Sequence, residues 1–141
     1  MAIVYFDSSA FVKLVVEEDG SDIAAALWDG CDAAVSSRLA YPEVRAALAA
    51  AERAHRLRPA DRLRAEESWE RYWAATRAVA LTDTITAHAG DLAGQYALRG
   101  ADAVHLASLL AVGAADVLFA VWDQRLRAGA QAARVTLAPL A

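Results

Sequence analysis

The chain reads as an α/β protein built on a parallel sheet with helices on both faces. Three observations carry this reading. Ile3-Val-Tyr-Phe6 is a continuous apolar run that stops at Asp7, as a buried strand does. Val117 to Val121 is a second run of the same kind. Around them apolar residues recur at helical spacing, so strands and helices alternate along the chain.

Taken in order, Met1 to Phe6 forms the first strand and Ser9 to Val16 a short helix, with Phe11, Leu14 and Val15 on one face. Glu17-Glu-Asp-Gly20 ends that helix, and Ser21 is placed to cap a second, Asp22 to Trp28. Asp29-Gly30 turns the chain into a second strand, Ala33 to Ser36. Ser36 or Ser37 caps a third helix reaching about Arg56. Pro42 is at home if that helix starts just before it, and bends it if the start is Arg38. Pro59 opens a fourth helix, Ala60 to about Thr76, and Arg77 to Leu81 is the third strand. Thr82 or Asp83 caps a fifth helix ending near Arg99-Gly100, with Gly100 as its C′ residue. Ala101 to Val112 is a sixth helix, Val117 to Val121 the fourth strand, then a short helix to Gly129 and a fifth strand, Arg134 to Leu137.

The 141 residues fit one domain, 1–141, with no internal repeat or linker, and a 57% hydrophobic composition argues against extended disorder. No apolar run reaches the about 18–20 residues of a membrane span, and the amino terminus has no signal-peptide pattern. Cys31 is the only cysteine and has no partner for an internal disulfide, which fits a cytoplasmic location. The net charge of −4 argues against nucleic-acid binding by bulk charge, but leaves room for a nuclease whose acidic pocket binds cations.

Four carboxylates stand out by position. Asp7 ends the first strand, Glu43 lies early in the helix after the second, Asp102 opens the sixth helix, and Asp123 follows the fourth strand. Strand ends and the starts of following helices share one edge of a parallel sheet, where such folds build their sites. Like charges gathered there need cations or protons to coexist, and hard oxygen ligands favour Mg²⁺ or Mn²⁺. Such ions polarise a phosphodiester and activate water. His55, His88 and His105 are scattered and lack zinc-type spacing.

Each carboxylate also has a structural reading. Asp7 and Asp123 could cap helices, Asp102 could decorate a helix dipole, and Glu43 could be a solvated helix residue. The sixth helix is nearly all apolar; its polar residues Asp102, His105 and Ser108, at spacing three, form a candidate pocket edge.

The chain resembles the PIN-domain family, specifically VapC-type toxin ribonucleases, along essentially its whole length. The resemblance rests on Tyr5-Phe6-Asp7-Ser8-Ser9-Ala10 with Val12-Lys13-Leu14, and on Ser36-Ser37 with Tyr41-Pro42-Glu43-Val44-Arg45. It continues through Leu98-Arg99-Gly100-Ala101-Asp102-Ala103-Val104-His105-Leu106-Ala107 and Val121-Trp122-Asp123-Gln124-Arg125-Leu126. It implies a Rossmann-like α/β/α sandwich with five parallel strands in the order 3-2-1-4-5. It also implies a pocket of Asp7, Glu43, Asp102 and Asp123 holding Mg²⁺ or Mn²⁺ for RNA hydrolysis, with Ser8 or Ser9 supplying a hydroxyl that supports the first Asp. The family often has Thr or Ser two residues before the last Asp; Val121 stands there in this chain, so that hydroxyl is lost. The resemblance further implies a homodimer and a VapB-type antitoxin that covers the pocket and alone reads operator DNA.

Other features have two readings. Arg53, Arg56, Arg58, Arg62 and Arg64 could meet RNA phosphates or form a solvated hairpin tip. Trp69, Tyr72 and Trp73 could stack on bases or pack a helical hairpin or dimer face. Lys13, the only lysine, could balance Asp7 or end the first helix in solvent. Trp122 could wall the pocket or join the core. Two rival functions remain. One is an aspartyl-phosphate phosphatase of the haloacid-dehalogenase type, which needs a second Asp where Ser9 stands. The other is a PIN-like module retained only for binding its partner.

Overall fold

The computed structural model describes residues 2–140; the expected first residue of the first strand, Met1, lies outside them. The elements follow as β1 (Ile3–Phe6), α1 (Ser8–Val15), α2 (Ser21–Gly30), β2 (Ala33–Ser37), α3 (Ala40–Arg53), α4 (Pro59–Ala74) and β3 (Arg77–Val79). Then come α5 (Asp83–Tyr96), α6 (Gly100–Val112), a 3-10 turn (Ala114–Asp116), β4 (Val117–Ala120), α7 (Gln124–Ala132) and β5 (Thr136–Ala138). The five strands form one all-parallel sheet in the order β3-β2-β1-β4-β5, as the resemblance implies.

Because strand side chains alternate, one sheet buries two cores. Tyr5, Val35 and Phe119 point to a core completed by Leu92, Leu106 and Leu126 of α5, α6 and α7. Val4, Phe6, Ala34 and Ala120 point to the other, filled by Phe11, Val44, Leu48 and Trp69 of α1, α3 and α4. β1 is central, paired with β2 and β4, so its end is covered from both sides. Trp69 is fully buried, with its ring 4.8 Å from that of Phe11, and Tyr72 meets Trp28 at 4.8 Å. These aromatics pack the core rather than wait for bases.

The structure corrects several expected boundaries. Ser21 does not cap α2. Gly20 holds that place at φ +89°, where a Cβ would lie 2.9 Å from Trp122 Nε1. The Ser21 hydroxyl instead closes the preceding loop, accepting from Glu18 N–H and donating to Val16 C=O. Neither Ser36 nor Ser37 caps α3. Both stay in β2, Ser37 Oγ accepts from Leu39 N–H, and the helix runs only from Ala40 to Arg53. Pro42 therefore sits in the first turn and bends nothing. Gly100 is not the C′ residue of α5. That helix stops at Tyr96, with Ala97 in the left-handed region at φ 54°. The early stop drives Leu98 into the core, a hydrophobic contact of the kind that accompanies such helix ends. Gly100 begins α6. The seventh helix runs on past Gly129 to Ala132, so β5 starts at Thr136, after a turn with Arg134 at φ 64°.

Phe11 is fully buried between Phe6 and Trp69. Phe11→Ala is expected to cost about 3–5 kcal/mol of unfolding free energy, read from urea denaturation.

Candidate active site

The carboxyl edge of the sheet carries the chemistry. β1 ends at Phe6 and the next residue, Asp7, is the N-cap of α1; its Oδ1 accepts from Ala10 N–H at 2.8 Å. Asp123, three residues past β4, caps α7 in the same way, with Oδ2 accepting from Leu126 N–H at 2.9 Å. Glu43 lies in the first turn of α3 and Asp102 in the first turn of α6. Both helix starts carry partial positive charge that favours a carboxylate. The capping and dipole readings are therefore true of these residues, and they also place three of the four on one site.

Asp7, Ser8, Ser9, Glu43, Arg99, Ala101, Asp102 and His105 line one cleft of ≈ 290 Å³. Asp123 stands at its edge, linked to it through Arg99, whose Nη2 lies 3.6 Å from Asp123 Oδ1. Arg99 Nε donates to Asp102 Oδ2 at 3.0 Å. Asp102 and Asp123 thus share Arg99, while Asp7 and Glu43 have other partners. Among the described residues no three His, Cys, Asp or Glu side chains converge on one point an ion could occupy.

Asp7 is only 5% exposed. Burial pushes its pKa from 3.8 up to about 6, against the pull of His105 and of the Ala10 N–H, with Asp102 and Glu43 adding repulsion. Burial would also raise Glu43, but hydrogen bonds from His105 and Ser8 outweigh it and hold its carboxyl below the ordinary range. Ser8 Oγ donates to Glu43 Oε1 at 2.5 Å, and His105 Nε2 lies 2.7 Å from the same oxygen. Tyr5 Oη lies 2.8 Å from His105 Nδ1. Burial raises the Tyr5 phenol, so it stays protonated. The Tyr5 hydroxyl, the His105 ring and the Glu43 carboxylate thus form one hydrogen-bonded chain.

Several of these partners were not legible as functional residues. Ser8, expected to support the first Asp, is spent on Glu43; Ser9 lines the cleft. Of the polar edge of α6, Asp102 and His105 reach the cleft, while Ser108 is buried and donates to Val104 C=O. The sequence signals for His105 were the spacing of three and its place in the third motif. Arg99 lies in the same motif, but the sequence attaches no role to it, since its two partners are chosen by the fold. Lys13 pairs with Glu18 at 3.1 Å and lies over Trp122, leaving Asp7 without it. Arg58, Arg62 and Arg64 pair with Asp61, Glu52 and Glu66, forming a hairpin tip. With Val121 in place of a hydroxyl residue, the end of β4 is anchored differently: Arg127 donates to Val121 C=O at 2.7 Å and to Pro139 C=O at 2.6 Å.

The PIN domain family model matches residues 4–130. The chain belongs to the PIN domain family. It is of the VapC type: it is 64% identical over 139 residues to Ribonuclease VapC45 of Mycobacterium tuberculosis CDC 1551 / Oshkosh. The same identity holds to Ribonuclease VapC49 of strain ATCC 25618 / H37Rv, and each match covers 99% of this chain and 96% of the relative. This membership removes the haloacid-dehalogenase reading, which Ser9 already disfavoured. Within the PIN fold, the donor set fits a hard divalent cation. It is all oxygen, and the buried Asp7 charge has no basic residue bonded to it, its one recorded partner being Ala10 N–H.

Because the raised Asp7 pKa means that ionisation is penalised in the fold, its stabilising contribution is full below pH 3.8 and is lost as pH rises through about 6. In chelator at pH 8, Asp7→Asn is expected to be about 3 kcal/mol more stable than the parent to urea, and the gain should vanish near pH 4.

Proposed function

We propose that the chain is a metal-dependent endoribonuclease that hydrolyses RNA phosphodiester bonds and serves as the toxin of a toxin–antitoxin pair. The observation that carries this reading is the gathering of Asp7, Glu43 and Asp102 in one cleft, with Asp123 at its edge, at the carboxyl end of the sheet. The ribonuclease names of two near-full-length relatives support the substrate class.

Asp7 and Asp102 would be the main ligands for Mg²⁺ or Mn²⁺, with Asp123 completing the set. A divalent ion bound there would supply Lewis-acid polarisation of the phosphodiester and a more acidic water. Glu43 would orient the attacking water and accept its proton. Ser8 and His105 both bond to Oε1, which leaves Oε2 for this task. Tyr5 and His105 keep the carboxylate in place and ionised.

The toxin role, a VapB-type antitoxin over the cleft, and a homodimer follow from the likeness to VapC proteins. No helix among the described residues is long and apolar enough to cross a membrane. A cytoplasmic location is part of the same reading, consistent with the free thiol of Cys31 and an RNA substrate. One observation favours a purely binding role: Asp102 and Asp123 face Arg99, not a shared ion position. Mn²⁺ titration separates the two, since a binding module takes up no specific ion.

Purified chain free of antitoxin is expected to cleave RNA in Mg²⁺ or Mn²⁺, to stop in EDTA, and to lose at least about 100-fold activity in Asp7→Asn. Cleavage that persists in EDTA or in the variant contradicts the mechanism. His105→Ala, which removes the donor to Glu43 Oε1, is expected to lower kcat about 10-fold or more while Mn²⁺ still binds.

A further inference from the structure

Arg99 is the only basic side chain, His105 aside, that lines the cleft among the described residues. It sits at the N-cap of α6, one turn ahead of Asp102, and bridges the two acidic groups the proposed metal site needs: Asp102 at 3.0 Å and Asp123 at 3.6 Å. The other basic residues with recorded partners near this face are committed elsewhere, Lys13 to Glu18 and Arg127 to backbone carbonyls. Arg99 has no such anchor. Its side chain is 67% exposed, and around Gly100 the space is open.

We propose that Arg99 is the resident counter-cation of the acidic cleft, exchanged for the divalent ion and then turned to a backbone phosphate of the RNA. This rests on the metal-dependent reading above. A guanidinium lodged between Asp102 and Asp123 and an ion ligated by both cannot coexist, because ion–oxygen distances near 2.0–2.2 Å leave no room between them. The exchange is cheap: an ion pair this exposed is weakly held. It also has a direction. Once the ion takes the carboxylates, Arg99 is left with an unpaired charge at the rim, where the phosphodiester backbone must pass. Its planar fork suits a phosphate, which it grips with two parallel hydrogen bonds.

The test compares the full chain with Arg99→Ala and Arg99→Lys, each stripped with EDTA and titrated with Mn²⁺ by calorimetry without RNA. Arg99→Ala is expected to bind Mn²⁺ about three- to fivefold more tightly, having lost the competitor. With saturating Mn²⁺ and a short single-stranded RNA, the same variant is expected to raise KM more than it lowers kcat. The slope of log KM against log salt should become shallower by about 0.7, one phosphate contact on a single strand. Arg99→Lys should restore the salt slope while leaving KM partly raised. Unchanged Mn²⁺ affinity in Arg99→Ala, or an unchanged RNA KM and salt slope, overturns the proposal. A parent protein that takes up no Mn²⁺ at all instead removes the metal-dependent reading on which the proposal stands.

Discussion

Four carboxylates brought to one sheet edge repel one another, and the local structure around the cleft is arranged to tolerate that repulsion. Each acid has its own neutralising device. Asp7 accepts a helix N–H, Glu43 takes hydrogen bonds from Ser8 and His105, Asp102 faces Arg99, and Asp123 caps α7. These devices are built from the chain's own groups. They are also unequal. Asp7 is buried and pushed up to about 6, while Glu43 is held down. Environments that separate the pKa values of neighbouring acids suit a division of labour between ion binding and proton transfer.

The sheet makes this possible. Parallel pairing puts the ends of β1 and β4 side by side, in register from Ile3 opposite Val117 to Phe6 opposite Ala120. Asp7 therefore leaves the sheet beside Val121, and Asp123 follows two residues on at the same edge. Two cores, one on each face, fix α3 against β2 and α6 against β2 and β4, which delivers Glu43 and Asp102 to the same edge. The Tyr5–His105–Glu43 chain crosses from a strand through α6 to α3, so packing and chemistry share the same buried hydrogen bonds.

Strand positions and the four acids were legible because they are written in short-range patterns: an apolar run, a carboxylate at its end, a motif with fixed spacing. What was not legible depends on contacts far apart in the chain. His105 meets Glu43 across 62 residues and Tyr5 across 100. Nothing in the neighbourhood of Arg99 announces Asp123 as a partner. Helix ends failed for a related reason. Ser21 and Gly100 have the right chemistry for caps, but tertiary packing won. Trp122 excludes a side chain at residue 20, and burial of Leu98 ends α5 early. The aromatic and arginine clusters near α4 look functional in one dimension, yet the fold uses Trp69 as core and pairs Arg58, Arg62 and Arg64 locally.

The most direct test of the account is a crystal of this chain soaked in Mn²⁺, with diffraction recorded at the manganese absorption edge. The account predicts an anomalous peak in the cleft, ligated by Asp7 and Asp102, with the Arg99 guanidinium withdrawn from Asp102. A cleft without a peak, with Arg99 still bridging Asp102 and Asp123 at saturating Mn²⁺, would contradict it.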